Sequence, residues 1–163
     1  MENSKEEVCC PKFNPEPWDG KEIEWSEKTF IMETMPQFLH IPLPGVFGKT
    51  VTGMMKKIED ANAKPSDENS LMLSLDPSPW KSELYVTTTK EVANANNIKL
   101  TGTFLTKAFD GSFNQIPQFM KEMEEYMASK GQKALKYYFY YTTCPKCAKK
   151  YGHNYIVIFG QIK

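Results

Sequence analysis

The sequence has no excess of charge of either sign, no long hydrophobic run and little histidine. Twenty basic residues balance twenty acidic ones in the 163-residue chain, so the formal net charge is zero. This balance removes the electrostatic basis of non-specific nucleic-acid binding, which needs a surplus of Lys and Arg. No segment approaches the ~20 apolar residues that a membrane-spanning helix requires. We therefore expect neither a nucleic acid nor a membrane as a partner.

The first eight residues are charged and polar, which is not the pattern of a secretory signal. A cytoplasmic location is therefore expected. The four cysteines form two pairs, Cys9 with Cys10 and Cys144 with Cys147. In a reducing compartment such pairs favour metal or redox chemistry over structural disulfides.

What the sequence has in abundance is aromatic residues, at 13%, together with nine methionines. With 40% hydrophobic and 25% charged residues, the composition is typical of a folded globular protein. The length fits one domain, predicted over residues 1–163, with an irregular N-terminal segment over 1–27. Part of the aromatic surplus is available for a binding site.

Two stretches, 28–92 and 93–163, share one predicted order of elements: strand, helix, strand, strand. In the first, we predict strands within 29–41, 71–75 and 80–89. In the second, we predict strands at 100–109, 137–141 and 155–159, and a helix that has Asn114 as N-cap and ends at Lys130 and Gly131. Apolar residues at helical spacing mark the two helices: Phe47, Val51, Met54, Met55 and Ile58 in the first, and Ile116, Phe119, Met120, Met123 and Met127 in the second.

The two stretches also match in register, which indicates an internal duplication. An offset of 66 residues relates four pairs: Phe38-Leu39 with Phe104-Leu105, Gly45 with Gly111, Phe47 with Phe113, and Met54 with Met120. Chance among common apolar residues is the alternative. The predicted fold is α+β, with two pseudosymmetric β-α-β-β repeats whose antiparallel sheets leave a central groove. Ligand sites favour such junctions.

The segment from Gly102 through Asp110, Gly111 and Phe113 to the 137–141 strand resembles the second half of gyrase-inhibitor-like (GyrI-like) small-molecule-binding domains. The resemblance covers roughly residues 25 to 163. It implies a SOUL-like fold of two halves and a groove that accepts amphipathic or aromatic molecules. Some members of that family are effector-binding domains of transcription regulators, and a subset hydrolyses reactive small molecules. No helix-turn-helix fits before residue 25, so we expect a stand-alone member.

The resemblance also implies a carboxylate in the strand that follows the second helix, but this strand, Tyr137–Tyr141, has none. We expect Glu83, in the equivalent hairpin of the first half, to supply the charge instead. A glutamate beside aromatic rings can hold a cation, and it can act as a general base. The alternative for Glu83 is a solvated position at a sheet edge.

Strand alternation puts Tyr138 and Tyr140 on one face, and Phe139 suits the helix side. We predict that both tyrosines line the groove, and the alternatives are a doubly covered core strand or a dimer interface. Trp80, Tyr85 and His40 complete the predicted ligand-binding set with Glu83. For His40, a structural role is the alternative, since catalysis would need a partner within hydrogen-bonding reach.

The Cys144-Pro-Lys-Cys147 spacing is that of a zinc knuckle, which supplies two of the four ligands of a tetrahedral ion. Cys144, Cys147, His153 and Cys10 form the predicted set for a structural zinc. A redox dithiol, a disulfide and free thiols are the alternatives. No cofactor is required for the expected function.

These features predict a stand-alone protein that binds a hydrophobic, aromatic or mildly cationic small molecule for sequestration or sensing. One alternative is a hydrolase of the same fold that acts on cyclopropane- or ester-bearing toxic molecules, with Glu83 as its catalytic residue. A second alternative is a protein- or peptide-interaction module. Either a monomer or a homodimer is compatible with the sequence.

Overall fold

The computed structural model describes residues 13–39, 41–66, 69–142 and 149–163. A short 3-10 turn, Phe113–Gln115, precedes the second helix. The strands and α-helices within these ranges are β1 (Lys21–Phe38), β2 (Ile41–Pro42), α1 (Val46–Asp60), β3 (Met72–Ser78), β4 (Lys81–Thr87), β5 (Asn97–Asp110), α2 (Ile116–Ser129), β6 (Lys136–Tyr141) and β7 (Tyr155–Gln161).

Six strands form one antiparallel sheet that closes into a barrel-like shape, in the order β1-β4-β3-β6-β7-β5 with β5 paired back to β1. Strand β1 closes the sheet because its 18 residues reach two neighbours. Its first part pairs with β5, and its second part, from Phe30 to Pro36, pairs with β4. A bulge interrupts the β1–β5 register between Trp25 and Lys28, where Glu27 has a φ of 48°. Beyond it, Phe30 and Ile31 pair with β5 on one side and β4 on the other. Strand β2 pairs only with the end of β1.

Alternation along the strands separates an inner face from an outer face. The helices cover the outer face: Met54 and Ile58 of α1 pack on one side, and Met123 and Met127 of α2 on the other. The inner face has its own cluster, rich in aromatic side chains. We call it the inner cluster, and its buried members are Phe30, Leu71, Leu73, Leu75, Tyr85, Phe104, Tyr138, Val157 and Phe159.

The structure differs from the sequence-based expectation in the number of sheets and the start of the first strand. Instead of two sheets flanking a groove, one closed sheet surrounds the inner cluster. Strand β1 begins at Lys21, inside the segment predicted to be irregular. The reason is visible in the sequence, because Ile23 and Trp25 alternate with charged residues as a half-buried strand requires. The pseudosymmetry of a duplication stays a prediction.

Helix α2 also begins one residue later than predicted. Gln115, not Asn114, is the N-cap residue, and it makes no side-chain capping bond, since the preceding residues form the 3-10 turn. Pro117 lies in the first turn, where its missing N–H leaves no bond unmade. The predicted end is confirmed: Lys130 is the C-cap, and Gly131 follows with a φ of 67°.

Candidate functional site

A cleft of about 620 Å³ lies where β3 and β6 separate. These strands pair only at Leu73 with Tyr140 and at Ser74 with Phe139. Beyond Leu75 the register of β3 shifts, and Pro77 has no N–H with which to continue a ladder. The cleft is lined by Leu75, Asp76, Pro77, Glu83, Ile116, Pro117, Met120, Lys136, Tyr137 and Phe139.

Glu83 joins this cleft to the inner cluster. It lies directly opposite Leu75 in the β3–β4 pairing and shares its strand face with Tyr85 two residues later. The Tyr85 hydroxyl donates a hydrogen bond of 2.5 Å to Glu83 Oε2. The rings of Tyr85 and Tyr138 lie 5.8 Å apart, edge to face. The structure therefore brings together three of the predicted site residues, one carboxylate and two tyrosines.

The Glu83 carboxylate gives the group formed with Tyr85 and Tyr138 a negative electrostatic potential. Burial and the adjacent Glu83 carboxylate together raise the pKa of Tyr85 well above its usual value. Burial, and next the charge of Glu83, also raises the pKa of Tyr138. Burial and the charge of Asp76 raise the pKa of Tyr141 to about 12. These tyrosines stay neutral at pH 7, so the Tyr85 hydroxyl keeps the proton that it donates to Glu83.

The cleft carries two carboxylates, Asp76 and Glu83, against one ammonium group, Lys136. Asp76 is held in place by Gln37, whose Nε2 donates to Asp76 Oδ1 at 2.6 Å. Gln37 is itself buried. The formal charge of these groups sums to minus one, which favours a cationic occupant over an anionic one.

The first turn of α2 forms an apolar wall of the cleft with Ile116, Pro117 and Met120. The helix is anchored behind this wall by Phe119 and Met123, which are buried against β5 and β7. Phe139 contributes from β6, on the outer face of the strand, as the alternation predicts. A ligand in the cleft would therefore contact apolar surface on one side and carboxylates on the other.

The inner cluster itself is filled by the chain's own side chains. Trp25 contacts three rings of the cluster, with centroid distances of 4.8 Å to Phe104, 5.4 Å to Phe159 and 5.8 Å to Phe30. Tyr138 is almost fully buried. Among the described residues, the cleft beside the cluster therefore offers a ligand more space than this filled interior.

Of the predicted ligand-binding residues, Glu83 lines the cleft, whereas Tyr85 and Tyr138 are buried in the inner cluster behind it. The remaining predicted residues lie elsewhere. Tyr140 is on the inner face, but the rings of Phe13 and Trp18 cover it at 5.8 and 5.9 Å. Trp80 is 57% exposed on the turn before β4, where it packs against Phe38. His40 lies outside the described residues.

Among the predicted zinc ligands, only His153 falls in the part of the chain that the structure describes. Its Nδ1 lies 2.6 Å from Asp110 Oδ2, and its ring stacks on Tyr155. Partial burial by itself would raise the pKa of Asp110, but hydrogen bonds from His153 and the Asn154 N–H lower it overall. Over the described ranges, no group of three or more His, Cys, Asp or Glu side chains is arranged to hold a metal.

The sequence reasoning missed the α2 wall and the β3 rim. The sequence identifies Met120 only as part of a helical apolar stripe, although it lines the cleft. The available signal was the Asp76-Pro-Ser-Pro79 segment, which ends a strand and prevents continued pairing.

The described residues include no helix long and apolar enough to cross a membrane.

Two solved structures resemble this chain in fold. The EcmrR C-terminal domain superimposes with a TM-score of 0.66 at 10% identity, covering 90% of this chain and 98% of that one. SAV2435 bound to tetraphenylphosphonium gives a TM-score of 0.51 at 15% identity, covering 88% and 93%. These likenesses confirm the GyrI-like fold expected from the sequence.

No protein of curated function matches the sequence significantly. A family model described as "Bacterial hydrolase" matches residues 1–162, which is nearly the whole chain. The chain therefore belongs to this bacterial hydrolase family.

Proposed function

We propose that this protein binds an aromatic or amphipathic small molecule, neutral or carrying one positive charge, in the cleft between β3 and β6. Sequestration or sensing would be its role. The observation that carries the proposal is the position of Glu83, which lines the cleft and accepts a hydrogen bond from Tyr85 of the inner cluster.

The chemistry of the cleft fits a delocalised organic cation better than a metal or an ammonium ion. A compact, strongly hydrated cation would lose its water beside the apolar side chains Leu75, Met120 and Phe139. A cation shielded by aromatic groups keeps apolar contact with that wall while its charge lies near Glu83 and Asp76. The fold neighbour SAV2435, whose structure holds tetraphenylphosphonium, supports this choice of probe.

The test is titration calorimetry with tetraphenylphosphonium, comparing the wild type with Glu83→Gln. A unit charge ~5 Å from a carboxylate gains about 3 kcal/mol at an effective dielectric constant of 20, or roughly a hundredfold in affinity. Because salt and solvent screen part of this gain, we expect Glu83→Gln to raise Kd about ten- to a hundredfold.

Glutamine keeps the shape of Glu83 and still accepts the Tyr85 hydroxyl, so the fold should be preserved. Glu125→Gln, on the exposed face of α2, is the matched control and should leave Kd unchanged. The neutral probe triphenylphosphine oxide should bind wild type and Glu83→Gln equally. Equal loss of both probes would contradict an electrostatic role for Glu83.

A second candidate function is hydrolysis, which membership in the bacterial hydrolase family favours. Glu83 would take a proton from a water molecule whose oxygen forms a bond to the carbonyl carbon of an ester. The carbon–oxygen bond to the leaving group would then break, and the alkoxide would receive the proton from Glu83. Turnover of an aryl ester by the wild type that is lost in Glu83→Gln would support hydrolysis, whereas binding without turnover would support the binding role alone.

A further inference from the structure

The end of the barrel near the β1–β2 hairpin exposes an unusual concentration of large apolar side chains. They come from three neighbouring segments: the hairpin, the first turn of α1, and the turn between β3 and β4. We call this surface the apolar patch, and its members are Phe38, Leu39, Ile41, Leu43, Phe47 and Trp80, which are between 39% and 66% exposed.

The apolar patch is held together by specific contacts. The Phe38 and Trp80 rings meet edge to face at 5.6 Å. The Gln37 N–H donates to the Trp80 carbonyl at 3.0 Å, and Phe38 lies opposite Ile41 in the β1–β2 pairing. These contacts fix the part of the patch formed by Phe38, Ile41 and Trp80.

The area of the patch is large for a monomer and suits a protein interface. A large apolar side chain presents about 200 Å², so six that are roughly half exposed present about 600 Å² together. This value lies at the upper end of the largest apolar patch on ordinary monomers, ~300–600 Å². It also approaches the ~800 Å² that each partner buries in a stable complex.

Nothing within the described chain covers this surface. Helix α1 uses its buried residues, Met54 and Ile58, against the sheet.

We propose that the apolar patch binds the same patch of a second copy of this chain, forming a twofold-symmetric dimer. A surface that pairs with itself gives a closed dimer in which the same residues are buried on both copies. The zero net charge of the chain leaves no long-range repulsion between copies. Lys49 and Lys81 are exposed on the segments that form the patch, and they would lie in the polar rim that surrounds an apolar interface.

This interface would lie beside the cleft. Gln37 links them, since its side chain donates to Asp76 Oδ1 at the cleft rim and to the Ser78 carbonyl, while its N–H contacts Trp80. Dimerisation would therefore hold the β3–β4 turn at Trp80, which follows the end of β3 that carries Asp76. The proposal does not depend on ligand binding, so either can fail alone.

The test is sedimentation velocity at protein concentrations between 1 and 100 µM. The wild type is compared with Leu39→Asn, Phe38→Asp and Leu135→Asn. Leu39 has a φ of 48°, which asparagine adopts more readily than leucine, so Leu39→Asn should fold at least as stably as the wild type. It removes a leucine from both halves of the interface, and we expect dimer affinity to fall at least tenfold. Leu135→Asn, at an exposed leucine outside the patch, should leave dimer affinity unchanged.

A dimer that Leu39→Asn weakens and Leu135→Asn does not would support the proposal. A wild type that stays monomeric at 100 µM would overturn it. A dimer that neither Leu39→Asn nor Phe38→Asp weakens would overturn the assignment of the surface. Patch-dependent binding of the monomer to vesicles of phosphatidylcholine and phosphatidylglycerol would instead identify a lipid surface as the occupant.

Discussion

The contact between Gly160 and α2 gives a direct prediction about how this helix packs on the sheet. Gly160 lies in β7 beneath the helix, where a Cβ added to it would fall onto the Met127 sulfur and within 2.9 Å of the Met127 methyl. Met127 is almost fully buried and cannot leave without opening a cavity. Gly160→Ala therefore overpacks this site, which costs about 1–3 kcal/mol.

We expect Gly160→Ala to lower Tm by roughly 3–10 °C, at about 2–4 °C per kcal/mol for a chain of this length. The assay is thermal and urea unfolding followed by circular dichroism. Met127→Ala alone should destabilise by about 2–5 kcal/mol through its cavity. In the Gly160→Ala background the cost of Met127→Ala should be smaller by at least 1 kcal/mol, because the new methyl fills part of the space.

The matched control is Gly53→Ala in α1, where an added Cβ meets nothing within 4 Å. That substitution should stabilise the protein by up to about 1 kcal/mol, through the better helix propensity of alanine. Additive effects of Gly160→Ala and Met127→Ala would refute the reasoning, because they would mean that the two sites do not share space.

Two further predictions concern ionisation and metal. Because the pKa of Tyr85 is higher in the folded protein than the ordinary value near 10, its contribution to stability is complete below pH 10 and decreases as pH rises above it. Tm should therefore fall more steeply above pH 10 in the wild type than in Tyr85→Phe. Identical profiles of Tm against pH would contradict this prediction. The zinc site remains a prediction: native mass spectrometry should find one zinc per chain, lost in Cys147→Ser, while the mass of the bare chain would exclude it. His153 would bind through Nε2, since its Nδ1 is paired with Asp110.

Much of the local structure was predictable because the spacing of apolar residues along a short segment distinguishes a helix from a strand. The methionine stripes identified both helices, and Gly131 marked the end of α2. The alternation of side chains along β6 correctly predicted that Tyr138 and Phe139 lie on opposite faces of the strand. Each of these inferences depends on residues close together in the sequence.

The closure of the sheet was not predictable in this way. It depends on β1 pairing with β4 and β5 at once, and nothing local in the sequence specifies two partners. The cleft was missed for the same reason: Met120 and Pro77 are distant in sequence, and only the separation of β3 from β6 brings them together. Glu83 could be singled out from the sequence because it lies two residues before Tyr85 on a predicted strand, and its role at the site stays a prediction.

The most direct test of the account is the crystal structure of the complex with tetraphenylphosphonium. We expect the phosphorus atom in the cleft between β3 and β6, with phenyl groups against Met120 and Phe139 and the Glu83 carboxylate as its nearest negative charge. A ligand bound instead at the apolar patch, against Phe38 and Trp80, would contradict it.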